Sequence, residues 1–315
     1  MNKKAQVLMI FLWILVVLAV FAVGIGYRVS TGIKFCRAKE ASLKARYLAY
    51  AGVNRAIVEI KGTSAAGLLD ALNSKWADNE GIFKKISLND SPNDFAVVFS
   101  EEGKYGVIDE ERKININSAS RELLIALLQE FNITTPEDVA DNILIWRGNL
   151  PDTLKIYESM GYPCKGQPFS NIEELKLVKG ISTEDFDKLE GLITVASSGS
   201  LNINTVTPTV LRIFCRGIAL QPSINLNPDF GNSVAEKIIA LRNSHGPFDL
   251  AVDQIQDLAF FQTDELNIFT ALSSQLICRS ENFLIEVTGN SRTIESKISA
   301  IYSRTNDKIN YWHEN

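Results

Sequence analysis

The chain has 315 residues, 46% of them hydrophobic and 22% charged, with a formal net charge of −5. That length suits two domains or one elaborated one, the composition is that of a folded globular protein, and the acidic balance argues against a broad phosphate-tracking surface. No Gly/Ser-rich, Pro-rich or single-sign tract is present, which excludes a chain dominated by disorder.

The first element is apolar. Ala5 to Tyr27, AQVLMIFLWILVVLAVFAVGIGY, carries no charge between Lys4 and Arg28. As a helix it is roughly 34 Å long at 1.5 Å per residue, enough for a hydrocarbon core of about 30 Å. The rival is a removed signal peptide, with Lys3 and Lys4 as its basic start and Ala22-Val23-Gly24 as a small-x-small site. Such peptides have an apolar core of only about 7–15 residues, so a retained single-pass anchor is expected. Residues 28–62 follow without proline, and Leu48, Ala51, Ala56 and Ile60 recur there at helical spacing among Lys, Arg and Glu. Anchor and amphipathic stretch are therefore predicted to form one rod that ends at Gly62.

Beyond the rod, residues 63–117 alternate strand-like runs with turns: Phe95–Phe99, a turn at Glu102-Gly103, then Tyr105–Ile108. The C-terminal stretch, 279–315, mirrors this with strands near 283–288, 294–302 and 309–313, and turns at Asn290-Ser291 and Asn306-Asp307. Helical periods dominate between them, from 118 to 278. The layout predicts an α+β fold in which a helical block is inserted into a small antiparallel sheet and the long N-terminal helix packs on that sheet.

The block repeats itself, about 115–196 and again about 200–278. Asn115-Ile116-Asn117 matches Asn202-Ile203-Asn204, Ala140/Ile143/Arg147 matches Ala235/Ile238/Arg242, and Pro168-Phe169 matches Pro247-Phe248. Thr207 before Pro208 reads as a helix N-cap with proline at the first helical position. Ser120 before Arg121 holds the same place, with Glu122 near the positive helix end. Each Asn-Ile-Asn is thus read as a short extended approach to a helix, its amides bonding backbone in the turn and Ile116 and Ile203 entering the core. The motif is a structural joint. Arg147 and Arg242 have two roles open to them, a salt bridge within each unit or a contact with a partner, and the internal role is expected.

Chemistry is sparse. Cys36, Cys164, Cys215 and Cys278 form no C-x-x-C; three of them lie beyond the rod, so at most one pair forms there, and which one stays open. His245 and His313 have no zinc-ligand spacing, and G-x-S-x-G, P-loop and G-x-G-x-x-G patterns are missing. No enzyme is expected. Asp90, Asp94, Glu101, Glu102, Asp109, Glu110 and Glu111 read either as a calcium loop or as a solvated acidic face, and the second is expected. Leu177 to Ile181, LVKGI, resembles the turn of a helix-hairpin-helix module. Its neighbours Glu184, Asp185 and Asp187 repel phosphate, and the second copy has no glycine there, so nucleic-acid binding is not expected.

Taken in order, LWILVVLA in the anchor, ARYLAYAGVNRAI in the rod, both Asn-Ile-Asn entries, both A-x-x-I-x-x-x-R segments, both Pro-Phe segments and the terminal strands resemble type II secretion protein K, the large minor pseudopilin, over nearly the whole chain. The resemblance implies a pilin-like fold whose sheet carries a large inserted domain of two degenerate SAM-like, helix-hairpin-helix-like repeats. It implies a single-pass protein of the bacterial inner membrane with its bulk in the periplasm. It also implies assembly with minor pseudopilins I and J at the pseudopilus tip, where the protein initiates or caps assembly for protein export. Calcium in the helical domain is a further implication, with no ligands assignable to particular residues. Prepilin peptidase would cut between Ala5 and Gln6, although the family usually has glycine before the cut. Ile10 then stands at mature position five, where most pilins have glutamate and protein K members do not. The other readings are a membrane-tethered helix-hairpin-helix protein of DNA uptake and a type IV minor pilin.

Overall fold

The computed structural model describes residues 3–65, 69–87, 94–98, 104–153, 155–249, 255 and 260–314. Helix α1, Lys3–Ala65, is one element of 63 residues. No proline removes a backbone donor along it. It runs through Gly62, where the rod was expected to stop, because that glycine stands in open space and costs a helix only about 1 kcal/mol. The first part of α1 is exposed. From Ala41 a single stripe of Ala41, Ala45, Leu48, Ala49, Val53, Ala56 and Ile60 is buried at three- and four-residue spacing. The stripe from Leu48 on packs against Phe95, Phe283, Ile285, Val287, Ile298, Ala300 and Tyr302 of the sheet.

After α1 come the short helix α2 (Glu80–Phe83) and strands β1 (Ile86–Ser87), β2 (Asp94–Val98) and β3 (Ile108–Asp109). The chain then enters the helical block and returns as β8 (Asn282–Ser291), β9 (Ile294–Ser303) and β10 (Lys308–Glu314). The antiparallel sheet has the order β1-β2-β8-β9-β10, and β3 also pairs with β8. Along β8 buried and half-buried residues alternate, the period of a sheet with one face on a core. Since Ile108 pairs with Leu284 and Asp109 with Phe283, the block leaves the sheet and re-enters it at one place.

Two local expectations are corrected. The strand foreseen at 105–108 shrinks to Ile108–Asp109, because the preceding backbone is already used: Val107 N–H donates to Trp76 O at 2.8 Å and Tyr105 O accepts from Asn79 N–H at 2.7 Å. The turn foreseen at Asn290-Ser291 lies two residues on, because Ser291 still pairs with Ile294 and Arg292 takes the left-handed conformation, φ 58°. The Glu102-Gly103 turn lies outside the described residues.

The helical block closes each of its two units in the same way. The first contains β4 (Ile114–Asn115), α3 (Arg121–Glu130), α4 (Pro136–Trp146), α5 (Ile156–Ser159), a 3-10 turn at Ile172–Leu177, α6 (Thr183–Leu189) and β5 (Ile193–Thr194). The second contains β6 (Leu201–Asn202), α7 (Pro208–Ala219), α8 (Pro228–His245), α9 (Thr263–Ser273) and β7 (Leu276–Ile277). In each unit the entry strand pairs in parallel with the exit strand, β4 with β5 and β6 with β7. The units share one core. They meet where α3 crosses α7: Gly217 lets Leu123 come so near that a Cβ there would lie 2.8 Å from its Cα. Glu130 of α3 binds both Arg212 and Arg216 of α7 across the same seam.

Candidate functional site

The residues singled out in the sequence fall in two places, the exposed end of α1 and the root of the helical block. Ala5, Gln6 and Ile10 lie in the first turns of α1. Gln6 is exposed, and Ile10 is 61% exposed among Met9, Trp13, Ile14 and Val17. By length and composition α1 is able to cross a membrane.

At the root, the two Asn-Ile-Asn segments make matching hydrogen bonds. Asn115 Oδ1 accepts from Asn117 N–H and Asn202 Oδ1 from Asn204 N–H, each closing a local turn. Asn117 holds Phe169 at both backbone atoms, donating to its carbonyl at 3.0 Å and accepting from its N–H at 2.7 Å. Asn204 does the same to Phe248, at 2.9 and 2.8 Å. The second asparagine of each motif thus fastens the Pro-Phe segment of its own unit. Arg147 donates to the carbonyls of Ile116 and Ala119, and Arg242 to those of Ile203 and Val206. Neither meets a carboxylate among the described residues; both serve carbonyls of their own unit instead of the salt bridge considered for them. Carbonyls at a turn carry partial negative charge and offer a buried guanidinium several acceptors. Burial pulls both guanidinium groups below their ordinary value. Ser120 caps α3 through Leu123 N–H and Thr207 caps α7 through Val210 N–H. Ile116 and Ile203 are each 1% exposed.

Two expected results follow from this geometry. Thr207→Ala should lose about 0.5–2 kcal/mol through the missing cap. Ile203→Asp should unfold the helical block, because it buries an unpaired charge. Thermal melts of residues 28–315 check both.

Asp109, Glu110 and Glu111 overturn an expectation. Instead of a solvated acidic face they are 1%, 3% and 0% exposed. They stand at the exit from β3, and each consecutive carboxylate receives a different part of the chain. Asp109 accepts from Asn202, Thr205 and Ser280 and from the N–H of Glu111. Glu110 accepts from Thr194 and pairs with Lys113 at 2.7 Å. Glu111 accepts from Ser198 N–H between the units, and from Glu281 N–H, Asn282 N–H and Asn282 Nδ2 where the chain re-enters the sheet. Asp70, fully buried in the loop after α1, completes the knot. It pairs with Arg304 at 2.5 and 2.9 Å and accepts from Trp76 Nε1 and Ser280 N–H. Asn202 joins the two halves by donating to Asp70 O, Asp109 Oδ2 and Ser280 Oγ. Asp94 pairs with Asn290 on the sheet, while Asp90, Glu101 and Glu102 lie outside the described residues.

Sequence reasoning missed these acids because, apart from Glu111 N–H and Lys113, their donors come from segments 84 to 171 positions away. The only local hint was a triplet of acids at the point where a strand pattern gives way to a helical one. Burial first and Glu111 second push the Asp109 carboxyl from 3.8 up to about 7, against hydrogen bonds from Ser280 and Thr205. Burial raises Glu111 as well. A carboxyl whose folded value lies above its unfolded one keeps a proton that the unfolded chain releases. Its contribution is therefore greatest below about pH 4 and falls as pH rises through about 7. Asp109→Asn is expected to flatten that fall. Melts of both chains between about pH 4 and pH 8 check it: curves that stay parallel exclude the linkage.

Asp109, Glu110 and Glu111 do not make the calcium loop weighed for them. The three carboxylates turn to separate sets of protein donors, not to one centre. Among the described residues no group of three or more His, Cys, Asp or Glu side chains is able to hold a metal. All four cysteines are free thiols, Cys36 exposed and Cys215 and Cys278 buried. The LVKGI turn forms, with Gly180 at φ 93°, but its first arm is the 3-10 turn and not an α-helix. Its Lys179 carbonyl is taken by Asn142 Nδ2.

No protein-family model matches the chain, and no curated protein matches it. Among solved structures it is similar to a chain in the crystal structure of the GspK–GspI–GspJ complex from the type 2 secretion system of enterotoxigenic Escherichia coli. The TM-score is 0.66 at 14% identity, covering 89% of this chain and 99% of that one. The likeness is one of fold: a GspK-type architecture of long N-terminal helix, antiparallel sheet and large helical region.

Proposed function

We propose that this chain is a minor pseudopilin of a type II secretion system, acting at the tip of the pseudopilus to initiate or cap its assembly. The observation that carries the reading is the GspK-type fold, matched over 99% of the solved chain, which belongs to a complex with GspI and GspJ. For this chain the corresponding partners are smaller pseudopilins of the I and J kind. The α1 apolar run anchors it in the inner membrane, the bulk lies in the periplasm, and prepilin peptidase cuts between Ala5 and Gln6. The role is assembly and not catalysis.

Two features support a place at the tip. Ile10 is apolar where most pilins carry glutamate, and a carboxylate in that helix would neutralise the amino terminus of the subunit ahead inside the bilayer. A first subunit has none ahead of it and needs no such pair. The helical block is also too bulky for repeated lateral packing along a shaft. Ile10→Glu is therefore expected to leave filament initiation intact or slightly reduced, whereas deletion of the chain should reduce it strongly. The direct test is to purify the full chain from detergent-solubilised membranes together with its smaller pseudopilins, and to image filaments labelled on the helical block. One label per filament end is the expected result; label spaced regularly along shafts refutes the tip assignment, and failure to co-purify refutes the pseudopilin reading.

A further inference from the structure

Between the apolar run and the sheet, α1 is a bare neck. Every residue from Arg28 to Glu40 is exposed, and the first buried position is Ala41. From Arg28 to Arg46 the helix carries Arg28, Lys34, Arg37, Lys39, Lys44 and Arg46 against one acid, Glu40. Two of these bases are engaged, Lys44 with Glu40 at 2.6 Å and Arg46 with Glu314 at 2.8 Å. Arg28, Lys34, Arg37 and Lys39 form no hydrogen bond or salt bridge among the described residues. A fifth base, Arg292, reaches the same pole from the tip of the β8–β9 hairpin, where its charge and that of Arg37 act on Glu40.

The angular positions decide what this charge faces. At about 100° per residue, Lys39 lies about 20° from Arg28 around the helix, Arg37 about 180° and Lys34 about 240°. A partner helix lying alongside touches one stripe about 100° wide. Charges on all sides suit a surface that the rod pierces. The axial positions agree: Lys34 is about 9 Å and Lys39 about 16 Å beyond Arg28. Long basic side chains reach back toward an interface, and the field of a charged membrane falls off over about 8–10 Å. With α1 spanning the bilayer as proposed above, Arg28 and Lys34 fall within reach of the headgroup layer and Arg37 and Lys39 of its outer edge.

We propose that Arg28, Lys34, Arg37 and Lys39 form a basic collar that binds the phosphates of anionic phospholipids around the exit point of α1. The proposal rests on the anchor reading given above. The collar enriches anionic lipid around the neck and keeps the rod upright with the globular part clear of the bilayer. Leaving the bilayer for a filament then requires exchanging lipid phosphate for acidic groups of neighbouring subunits.

Cys36 lies inside the collar and is exposed, so it takes a reporter. The full chain carrying Cys164→Ser is labelled at Cys36 with a fluorophore and reconstituted into phosphatidylcholine–phosphatidylglycerol vesicles. A nitroxide quencher near the headgroup is carried either by phosphatidylglycerol or by phosphatidylcholine. Quenching by the anionic carrier should be stronger by about two-fold or more at low salt. The preference should vanish at high salt and in K34Q/R37Q/K39Q, and persist in K34R/K39R. Equal quenching by both carriers overturns the proposal, as does a preference that survives in the glutamine variant. Equal quenching together with weaker co-purification of that variant assigns the charge to an acidic protein partner and also overturns it. A chain that fails to float with the vesicles refutes the anchor and the collar with it, whereas one that floats and is quenched equally refutes the collar alone.

Discussion

Replacing Arg304 with methionine is expected to destabilise the protein by about 3–5 kcal/mol, the usual consequence of removing one partner from a buried ion pair. Arg304 is 8% exposed in its side chain and Asp70 0%. The guanidinium bonds both Asp70 oxygens and the Ser280 carbonyl, and it lies 4.8 Å from the Phe283 ring centre. Methionine replaces some of the packing but leaves Asp70 without a cation in a place water does not reach. The loss concerns connection as much as energy. Asp70 belongs to the loop after α1, Arg304 to the turn after β9, and Ser280 to the end of the helical block. With the pair broken, the block and the sheet lose their shared fastening. Unfolding in urea should then separate into two transitions, one for each hydrophobic core. Asp70→Leu combined with Arg304→Met should cost less than the sum of the two single changes, because neither charge is left alone. Additive costs together with a single transition would show that the knot does not couple the two cores.

Gly289→Val should be comparably damaging for a steric reason. A Cβ at residue 289 would lie 2.1 Å from Ala45 O and 2.6 Å from Ala49 N, both backbone atoms of α1. Backbone cannot rotate aside as a side chain does, so α1 must lift from the sheet. The seam from Leu48 to Ile60 then loses contact, with a cost of about 1–3 kcal/mol or more. Gly191→Ala is the control, since nothing lies within 4 Å of a Cβ built there. It should change stability by no more than about 0.5 kcal/mol. Thermal melts of residues 28–315 make the comparison, and equal melting of the two variants would rule out the close approach.

The contrast between these two glycines shows what sequence reading reaches. The long apolar run, the rod, the helical block and its doubling were all legible, because each is written in local pattern. An uncharged run, a stripe at helical spacing and a motif recurring after 87 residues need no knowledge of the rest of the chain. The Asn-Ile-Asn segments were legible as joints for the same reason: capping and turn chemistry act over three or four residues. Their attachment to Phe169 and Phe248 was not, since the partner lies 52 or 44 positions away.

By itself, then, the sequence determined the order of the elements, the run apolar enough to cross a membrane, and the existence of two related helical units. Tertiary structure alone decided the fate of the charged and small residues. Asp109, Glu110 and Glu111 look like a solvated face in one dimension. In three they become the knot that holds the helical block to the sheet, because entry and exit meet beside β8 and bring the donors of Asn202, Ser280 and Asn282 together. Gly289 carries no signal in one dimension, and in three it lies where the backbones of strand and helix approach closely. The physical reason is shared. Propensity and capping are short-range, whereas the cost of burying a charge or a side chain depends on which distant segments the fold brings alongside.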